Sequence, residues 1–180
     1  MFSSSSSKHE RPVHIIGFPF AGGQQRAGPE LAPVWLLEQQ WLKEMKGVTS
    51  EMVQVTNPKC NQAQDKDILD GHRPGERNWN NVFESCNRLE KATEKSLRNG
   101  QFPVVFGGDH SQGIGSINGL KAVYPTARIL WLDAHIDANN QQSTLTGDIH
   151  GGPVAYLSGI APYSKKPVLS LKHIIYFGIR

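Results

Sequence analysis

The middle of this 180-residue sequence contains side chains that could bind a divalent cation. Asp133, His135 and Asp137 alternate directly after an apolar run at residues 129–132. In an extended chain this period of two would place all three side chains on one face, with about 6.6–7 Å between successive Cα atoms of that face. Two ionised carboxylates beside an imidazole repel each other unless a cation lies between them. The spacing therefore predicts a metal site.

A second polar cluster follows the preceding apolar run. The sequence Gly-Gly-Asp-His-Ser at residues 107–111 comes directly after residues 102–106. Ligands bind at the carboxyl ends of parallel strands, so we expect two neighbouring strands to bring His110 to the alternating group. Imidazole and carboxylate ligands without thiolate suit manganese, with zinc, iron or cobalt as alternatives. Two such ions about 3.5–4 Å apart would hold a hydroxide between them at neutral pH.

The pattern along the chain indicates an α/β fold that positions these groups. From Val13 onward, short apolar runs alternate with longer amphipathic ones, as expected of βαβ units that build a parallel sheet. The apolar runs 102–106 and 129–132 predict central strands that are covered on both faces. We predict further strands at residues 13–18, 51–55 and 173–179, and helices at residues 29–47, 81–98, 114–123 and 154–158.

The length predicts a single α/β domain over residues 13–180. Residues 1–12 include five consecutive serines and are predicted to form a disordered tail, and the polar stretch 57–78 is predicted to be a surface loop. Trp35 and Trp41 recur at helical spacing, which predicts that they pack in the core. A terminal parallel strand needs a crossover helix to cover it, so we expect more sequence to follow.

Composition excludes several classes of function. The 19 basic and 16 acidic residues give a net charge of +3 without a Lys/Arg cluster, so we expect no nucleic-acid partner. No apolar run reaches the roughly 18 residues that cross a membrane. Cys60 and Cys86 are too few for a disulfide scaffold and lack the spacing of a zinc site. With no apolar secretory signal, a cytoplasmic location is expected, and a mitochondrial one is less favoured.

The two polar clusters resemble the first two metal motifs of the ureohydrolases, the superfamily of arginase and agmatinase. Residues 144–153, Thr-Leu-Thr-Gly-Asp-Ile-His-Gly-Gly-Pro, are similar to the arginase branch, as are residues 17–20 and 23–29. The resemblance implies a three-layer α-β-α fold with a mainly parallel sheet, incomplete in this chain. It also implies hydrolysis of L-arginine to L-ornithine and urea by a hydroxide that bridges two metal ions.

The resemblance assigns a metal-binding role to each residue of the two clusters. It implies that His110, Asp133 and Asp137 hold one manganese ion. It implies that Asp133 and His135 hold the second ion, so that Asp133 bridges the pair. Asp137 is also a candidate catalytic residue.

The resemblance further assigns residues that bind the substrate. It implies that Asn139, Thr144 and Thr146 recognise the α-carboxylate of arginine, and that His150 transfers a proton at the reaction centre. Thr146 stands where family members have serine and keeps the hydroxyl. Asp148 stands where they usually have asparagine and adds a negative charge beside residues 139–146, the recognition loop.

Two family features are not found among the 180 residues: a third metal motif of the form Asp-x-Asp, and the glutamate that binds the guanidinium group. Asp65 and Asp67 form another Asp-x-Asp, but they lie in a polar stretch before the first motif and receive no role. Two alternatives stay open. The chain could be an impaired, truncated isoform or fragment that acts by associating with full-length subunits. It could also be an agmatinase or formimidoylglutamase, which Asn139 and Thr146 disfavour. The resemblance suggests a homotrimer or hexamer.

Overall fold

Two small parallel sheets and their helices position the predicted site. The structure is a computed structural model that describes residues 11–58, 76–162, 164 and 167–180. The predicted tail up to residue 10, most of the predicted loop 57–78, and Cys60, Asp65 and Asp67 lie outside the described residues. The strands are β1 (Val13–Phe18), β2 (Val48–Met52), β3 (Phe102–Gly107), β4 (Ile129–Leu132) and β5 (Ile174–Phe177). The helices are α1 (Leu31–Glu38), α2 (Gln40–Glu44), α3 (Trp79–Arg98), α4 (Gln112–Val123) and α5 (Pro153–Ser158), with 3-10 turns at Ile149–Gly151 and Leu171–His173.

The first sheet has the order β2-β1-β3 and is parallel throughout. Ile16 and Phe18 of β1 are fully buried in a core cluster with residues of α3 and α4. A Cβ placed on Gly17, between them, would lie 3.4 Å from Leu37 of α1. Because successive side chains of a strand point to opposite faces, α1 and α3 cover opposite faces of this sheet. The predicted three-layer α/β arrangement is therefore present.

Helix α4 begins two residues after His110, so its packing determines where that histidine lies. The helix approaches α3 closely because Gly115 has no side chain: a Cβ there would lie 2.5 Å from the carbonyl oxygen of Cys86. Val82, Cys86 and Leu89 of α3 recur at helical spacing and are at most 2% exposed. Their burial confirms the amphipathic pattern and anchors α4 against the first sheet.

The second sheet consists of β4 and β5, which pair in parallel with Ile129 opposite Ile174. Among the described residues β4 does not pair with β3, so the expectation that these two strands are direct neighbours is wrong. The expected cover on both faces is wrong too, because Phe102 of β3 is 56% exposed and Leu132 of β4 is 68% exposed. Helix α1 contacts β3 but leaves Phe102 exposed.

The predicted helix at residues 29–47 is divided into α1 and α2. Gln39 between them has an extended backbone with ψ 129°. Trp35 and Trp41 are 61% and 53% exposed, so their predicted core packing is wrong. Apolar residues lie on several sides of α1. Only one face of the helix can pack on the sheet, so the apolar residues on the other faces are exposed to water. None of the helices within the described ranges has the length and apolar content that crossing a membrane requires.

Candidate metal centre

Three of the four predicted metal ligands meet where β3 and β4 end. Ligand atoms of His110, Asp133 and Asp137 all lie within 4.8 Å of one another. Nδ1 of His110 is 3.0 Å from Oδ2 of Asp137 and 3.5 Å from Oδ2 of Asp133. The two strands belong to different sheets, yet their carboxyl ends deliver these side chains to one point.

A turn brings the two aspartates together, and the extended alternation expected for residues 133–137 is wrong. Oδ1 of Asp133 accepts a hydrogen bond of 2.9 Å from the N–H of His135, which closes a turn of the Asx type. Asp137 has a left-handed backbone with φ 48°. As a result Asp137 turns back towards His110, whereas the side chain of His135 is 74% exposed.

His135 lies beside the three-residue cluster. Its Nδ1 is 3.5 Å from Oδ1 of Asp133, on the opposite carboxylate oxygen from the one that faces His110. Asp133 thus presents one oxygen to each imidazole. This arrangement is compatible with the implied bridging role of Asp133, and the second ion at His135 stays a prediction.

Asp137 is the most buried ligand of the cluster, at 8% exposure. Nε1 of Trp131 donates a hydrogen bond of 3.3 Å to its Oδ2, and its carbonyl oxygen accepts one of 2.9 Å from the N–H of Val154. These contacts come from β4 and α5. They orient the carboxylate towards His110 in the way that outer-shell groups orient metal ligands. Nothing in the spacing of the sequence predicted the role of Trp131.

The charges of the cluster fit a divalent cation. The hydrogen bond to Asp137 raises the pKa of His110 above its ordinary value of 6.5, although burial opposes this. The hydrogen bond from the N–H of His135 lowers the pKa of Asp133 below 3.8. Both shifts favour an ion pair between His110 and the carboxylates in the metal-free chain. One imidazole and two carboxylates form a donor set that suits manganese and related ions, so the residues fit the implied group.

Asp109 precedes His110 and is only 4% exposed. Its Oδ2 accepts a hydrogen bond of 2.7 Å from the N–H of Gly23, and its Oδ1 accepts bonds of 2.9 Å and 2.5 Å from the N–H and hydroxyl of Ser111. Burial raises the pKa of Asp109 although these donors oppose the shift. Sequence reasoning gave Asp109 no role, although its place in the Gly-Gly-Asp-His-Ser cluster could have drawn attention to it.

His150 is attached to the loop that follows β1. The carbonyl oxygen of Gly23 lies 3.0 Å from the backbone nitrogen of His150 and 3.1 Å from its Nδ1. The loop with Gly23 and the turn with His150 are more than a hundred residues apart in the sequence. Only the folded chain brings them together.

A cavity of about 760 Å³ connects the cluster to the other predicted site residues. Its wall includes His110, Asp133, His135, Asp137, Asn139, Ser143, Thr146, Asp148, His150 and Arg180. All of the candidate site residues except one therefore face a common space. The exception is Thr144, which is not among the lining residues and whose Oγ1 accepts a hydrogen bond of 3.0 Å from the N–H of Gly147.

The recognition loop is held from outside the cavity by Arg77. Its backbone N–H donates to the carbonyl of Gly147 and its Nε donates to the carbonyl of Thr146, both at 2.8 Å. Asp148 accepts a hydrogen bond of 3.4 Å from Nε2 of Gln25. These contacts keep the loop at the rim of the cavity.

Residues 11–180 match the model of the Arginase family. The chain belongs to the arginase family. This arginase-family chain is 35% identical to the arginase of Eremothecium gossypii, in a match that covers 94% of the chain and 45% of the relative. It is 31% identical to arginase-1 of Rattus norvegicus, over 97% of the chain and 55% of that protein. The chain thus spans about half the length of these relatives, and its predicted resemblance to the ureohydrolases is confirmed.

Solved structures agree with this assignment. The arginase of Bacillus caldovelox superimposes with a TM-score of 0.80 at 26% identity, covering 95% of this arginase-family chain and 58% of that one. An Entamoeba histolytica arginase in complex with L-ornithine gives 0.76 at 30% identity, covering 93% and 58%. A formiminoglutamase variant of Trypanosoma cruzi with Mn²⁺ gives 0.63 at 19% identity, covering 98% and 55%, and shares the fold alone. The predicted α/β fold is confirmed as the arginase fold, partial relative to the complete proteins.

Proposed function

We propose that this arginase-family chain provides a metal centre that hydrolyses L-arginine to L-ornithine and urea. The observation that carries the proposal is the convergence of His110, Asp133 and Asp137 in the wall of one large cavity. The names of the relatives and the L-ornithine complex of the Entamoeba histolytica arginase support arginine as the substrate. The formiminoglutamase neighbour makes a related amidine the alternative substrate.

The cluster supplies the metal ligands of the proposed reaction. His110, Asp133 and Asp137 would hold one manganese ion, and Asp133 with His135 would hold the second. Divalent cations bound there would supply a nucleophile at neutral pH by lowering the pKa of water. The matched region covers only about half of the arginases of Eremothecium gossypii and Rattus norvegicus, and additional ligands can lie in the rest of such proteins.

Asn139 and Thr146 line the same cavity and are proposed to bind the α-carboxylate of arginine. Their side chains can donate hydrogen bonds to a carboxylate. Thr144 is proposed to act with them, since its hydroxyl accepts from the N–H of Gly147 and its own hydrogen can still be donated. Asp148 opposes this recognition, because its negative charge lies on the wall of the same cavity.

His150 is proposed to transfer the proton. Its Nδ1 faces the carbonyl oxygen of Gly23, which can only accept a hydrogen bond. In the neutral ring the proton is therefore on Nδ1, and Nε2 has the lone pair that can take a proton from the reacting group. A histidine placed in this way at the cavity wall can act as general base and then as general acid.

Urea release from L-arginine with added manganese tests the proposal. Asp133→Asn removes a ligand and is expected to lower the rate by at least about 100-fold. Asp148→Asn is the matched control, because it makes the same chemical change in the same cavity and restores the residue usual in the family. It is expected to lower KM with little effect on kcat. Equal rates for the unmodified chain and Asp133→Asn would contradict the proposal, and faster hydrolysis of agmatine or formimidoylglutamate would replace the substrate.

A second candidate function is association with other arginase-family subunits, in a trimer or hexamer. The exposed apolar side chains of the strands favour it, since Leu130 and Leu132 of β4 are 60% and 68% exposed and Phe177 of β5 is 70% exposed. Sedimentation velocity of the purified chain tests this function. Concentration-dependent association that Leu132→Lys weakens is expected, and a monomer with a cooperative melt would reject it.

A further inference from the structure

The carboxylate of Asp109 joins two loops that lead to different residues of the proposed site. One oxygen accepts a hydrogen bond of 2.7 Å from the N–H of Gly23, which lies in the loop after β1. The other accepts the N–H of Ser111, 2.9 Å away, directly after His110. The N–H of Asp109 also donates to the carbonyl of Phe20 at 2.7 Å, so the two loops lie side by side. A buried acceptor with donors on both loops fixes their separation.

Gly23 connects this anchor to His150. Its N–H is held by Asp109, and its carbonyl oxygen contacts both the backbone nitrogen and Nδ1 of His150, at 3.0 Å and 3.1 Å. If the carboxylate were lost, the N–H of Gly23 would be buried without its acceptor, and the loop would have to shift to find another. That shift would move the carbonyl group that selects the protonated nitrogen of His150.

We propose that Asp109 is a positioning residue, which holds Gly23 so that His150 is kept as the Nδ1–H tautomer with Nε2 available to the metal centre. The inference rests on the proposed function in one respect, which is that Nε2 of His150 accepts a proton during the reaction. The tautomer is inferred from the contact of Nδ1 with the carbonyl oxygen of Gly23 and does not depend on that function. Asp109 does not line the cavity, so it does not border the proposed substrate space.

The experiment is NMR spectroscopy of the full chain, labelled with ¹⁵N-histidine and kept free of metal, at a pH where His150 is neutral. His150→Asn identifies the signals of that ring by their loss. In the unmodified chain we expect a single tautomer with an unprotonated Nε2. In Asp109→Asn one acceptor oxygen is replaced by an NH₂ group, which donates hydrogen bonds. The single oxygen that remains cannot accept from both Gly23 and Ser111 as the carboxylate does. We then expect a mixture of tautomers, with the shifts of the two ring nitrogens moving towards each other.

Two further variants separate positioning from a general loss of packing. Ser111→Ala removes the hydroxyl that donates a hydrogen bond to Asp109, but it leaves the hydrogen bond between Asp109 and Gly23 in place. The NMR signals of His150 should therefore not move. Gly23→Ala keeps the charge of Asp109, but its new Cβ would lie 2.7 Å from Oδ1 and displaces the carboxylate. Gly23 has no left-handed backbone that would oppose alanine. We expect this variant to reproduce the tautomer mixture, and it decides the question if Asp109→Asn does not fold.

Unchanged His150 signals in folded Asp109→Asn or Gly23→Ala would overturn the inference. Equal changes in Ser111→Ala would overturn it as well, because they would indicate general loosening. The readout needs neither manganese nor turnover. A chain that shows the expected tautomers but releases no urea would therefore reject the proposed function and keep the positioning role.

Discussion

The two sides of the metal centre are built in different ways. On the side of β1 and β3, the loops with His110 and His150 are joined by buried hydrogen bonds through Asp109 and Gly23. On the side of β4 and β5, Asp133 and His135 lie on a turn that is closed by one local hydrogen bond and joined to residues 177 and 180 by backbone hydrogen bonds, and the side chain of His135 is 74% exposed. Distant segments meet on both sides, but the first side is held by the buried carboxylate of Asp109, whereas the second lies beside exposed residues such as Phe177.

This difference suggests a division of tasks within the centre. Segments with few buried contacts open at low free-energy cost, whereas core segments open only with the whole fold. The side with His110 and His150 is therefore suited to hold catalytic geometry. The side with Asp133 and His135 can adjust to a cation, and Asp137 links the two because it is buried and contacts His110 directly.

The largest expected effect compares one phenylalanine from each side. Phe18 of β1 is fully buried, and Phe177 of β5 is 70% exposed. Phe18→Ala should lower the free energy of unfolding by about 3–5 kcal/mol, since it leaves a cavity in the core. Phe177→Ala should change it by less than about 0.5 kcal/mol, as exposed substitutions usually do. Urea unfolding of both variants measures the difference, and similar losses would remove the contrast between the two sides.

The second effect concerns metal affinity and tests the linking role of Asp137. Asp137→Asn should weaken manganese binding by at least about 100-fold, because the residue belongs to the three-residue cluster. His135→Asn should weaken binding of the first ion much less, since this side chain lies outside that cluster and in water. Isothermal titration of manganese into each chain provides the comparison. Equal losses in the two variants would show that the exposed side contributes as much as the buried one.

The smallest effect is a shift in the titration of His110 in the metal-free chain. Its NMR midpoint should lie above 6.5, and Asp137→Asn should move it downward, because the hydrogen bond with Asp137 is the main cause of the raised pKa. The raised pKa contributes stability that is present below pH 6.5 and is lost as the pH rises through the folded value. Manganese binding should strengthen as the pH rises through the same range, because the imidazole of His110 must be neutral to bind the ion. A midpoint at or below 6.5 would contradict a stabilising hydrogen bond between His110 and Asp137.

Sequence reasoning succeeded where the signal was local. The amphipathic period of residues 81–98 predicted α3 apart from its first two residues, and the apolar runs predicted all five strands to within a few residues. It was wrong where the outcome depends on what covers an element. Trp35 is exposed because α1 has apolar residues on several sides, and one face of β3 stays exposed although α1 contacts the strand.

The candidate site shows the same limit. Composition and order indicated His110, Asp133 and Asp137 as ligands, and the structure brings them together. The backbone conformation that brings them together differs from the prediction, since a turn and the left-handed backbone of Asp137 replace the expected extended alternation. Periodicity describes a regular chain, and it cannot predict where a side chain captures a neighbouring N–H and bends the backbone.

Residue types and their order were sufficient to predict the α/β class and the ligand candidates, because strand ends and donor chemistry are local properties of the chain, and the family followed from the resemblance of its motifs. Tertiary structure alone decided that His150 meets Gly23, that Asp109 joins two loops, and that β3 and β4 lie in separate sheets. Those outcomes depend on contacts between residues far apart in sequence. In the folded core such contacts are favoured because burial makes an unpaired polar group costly.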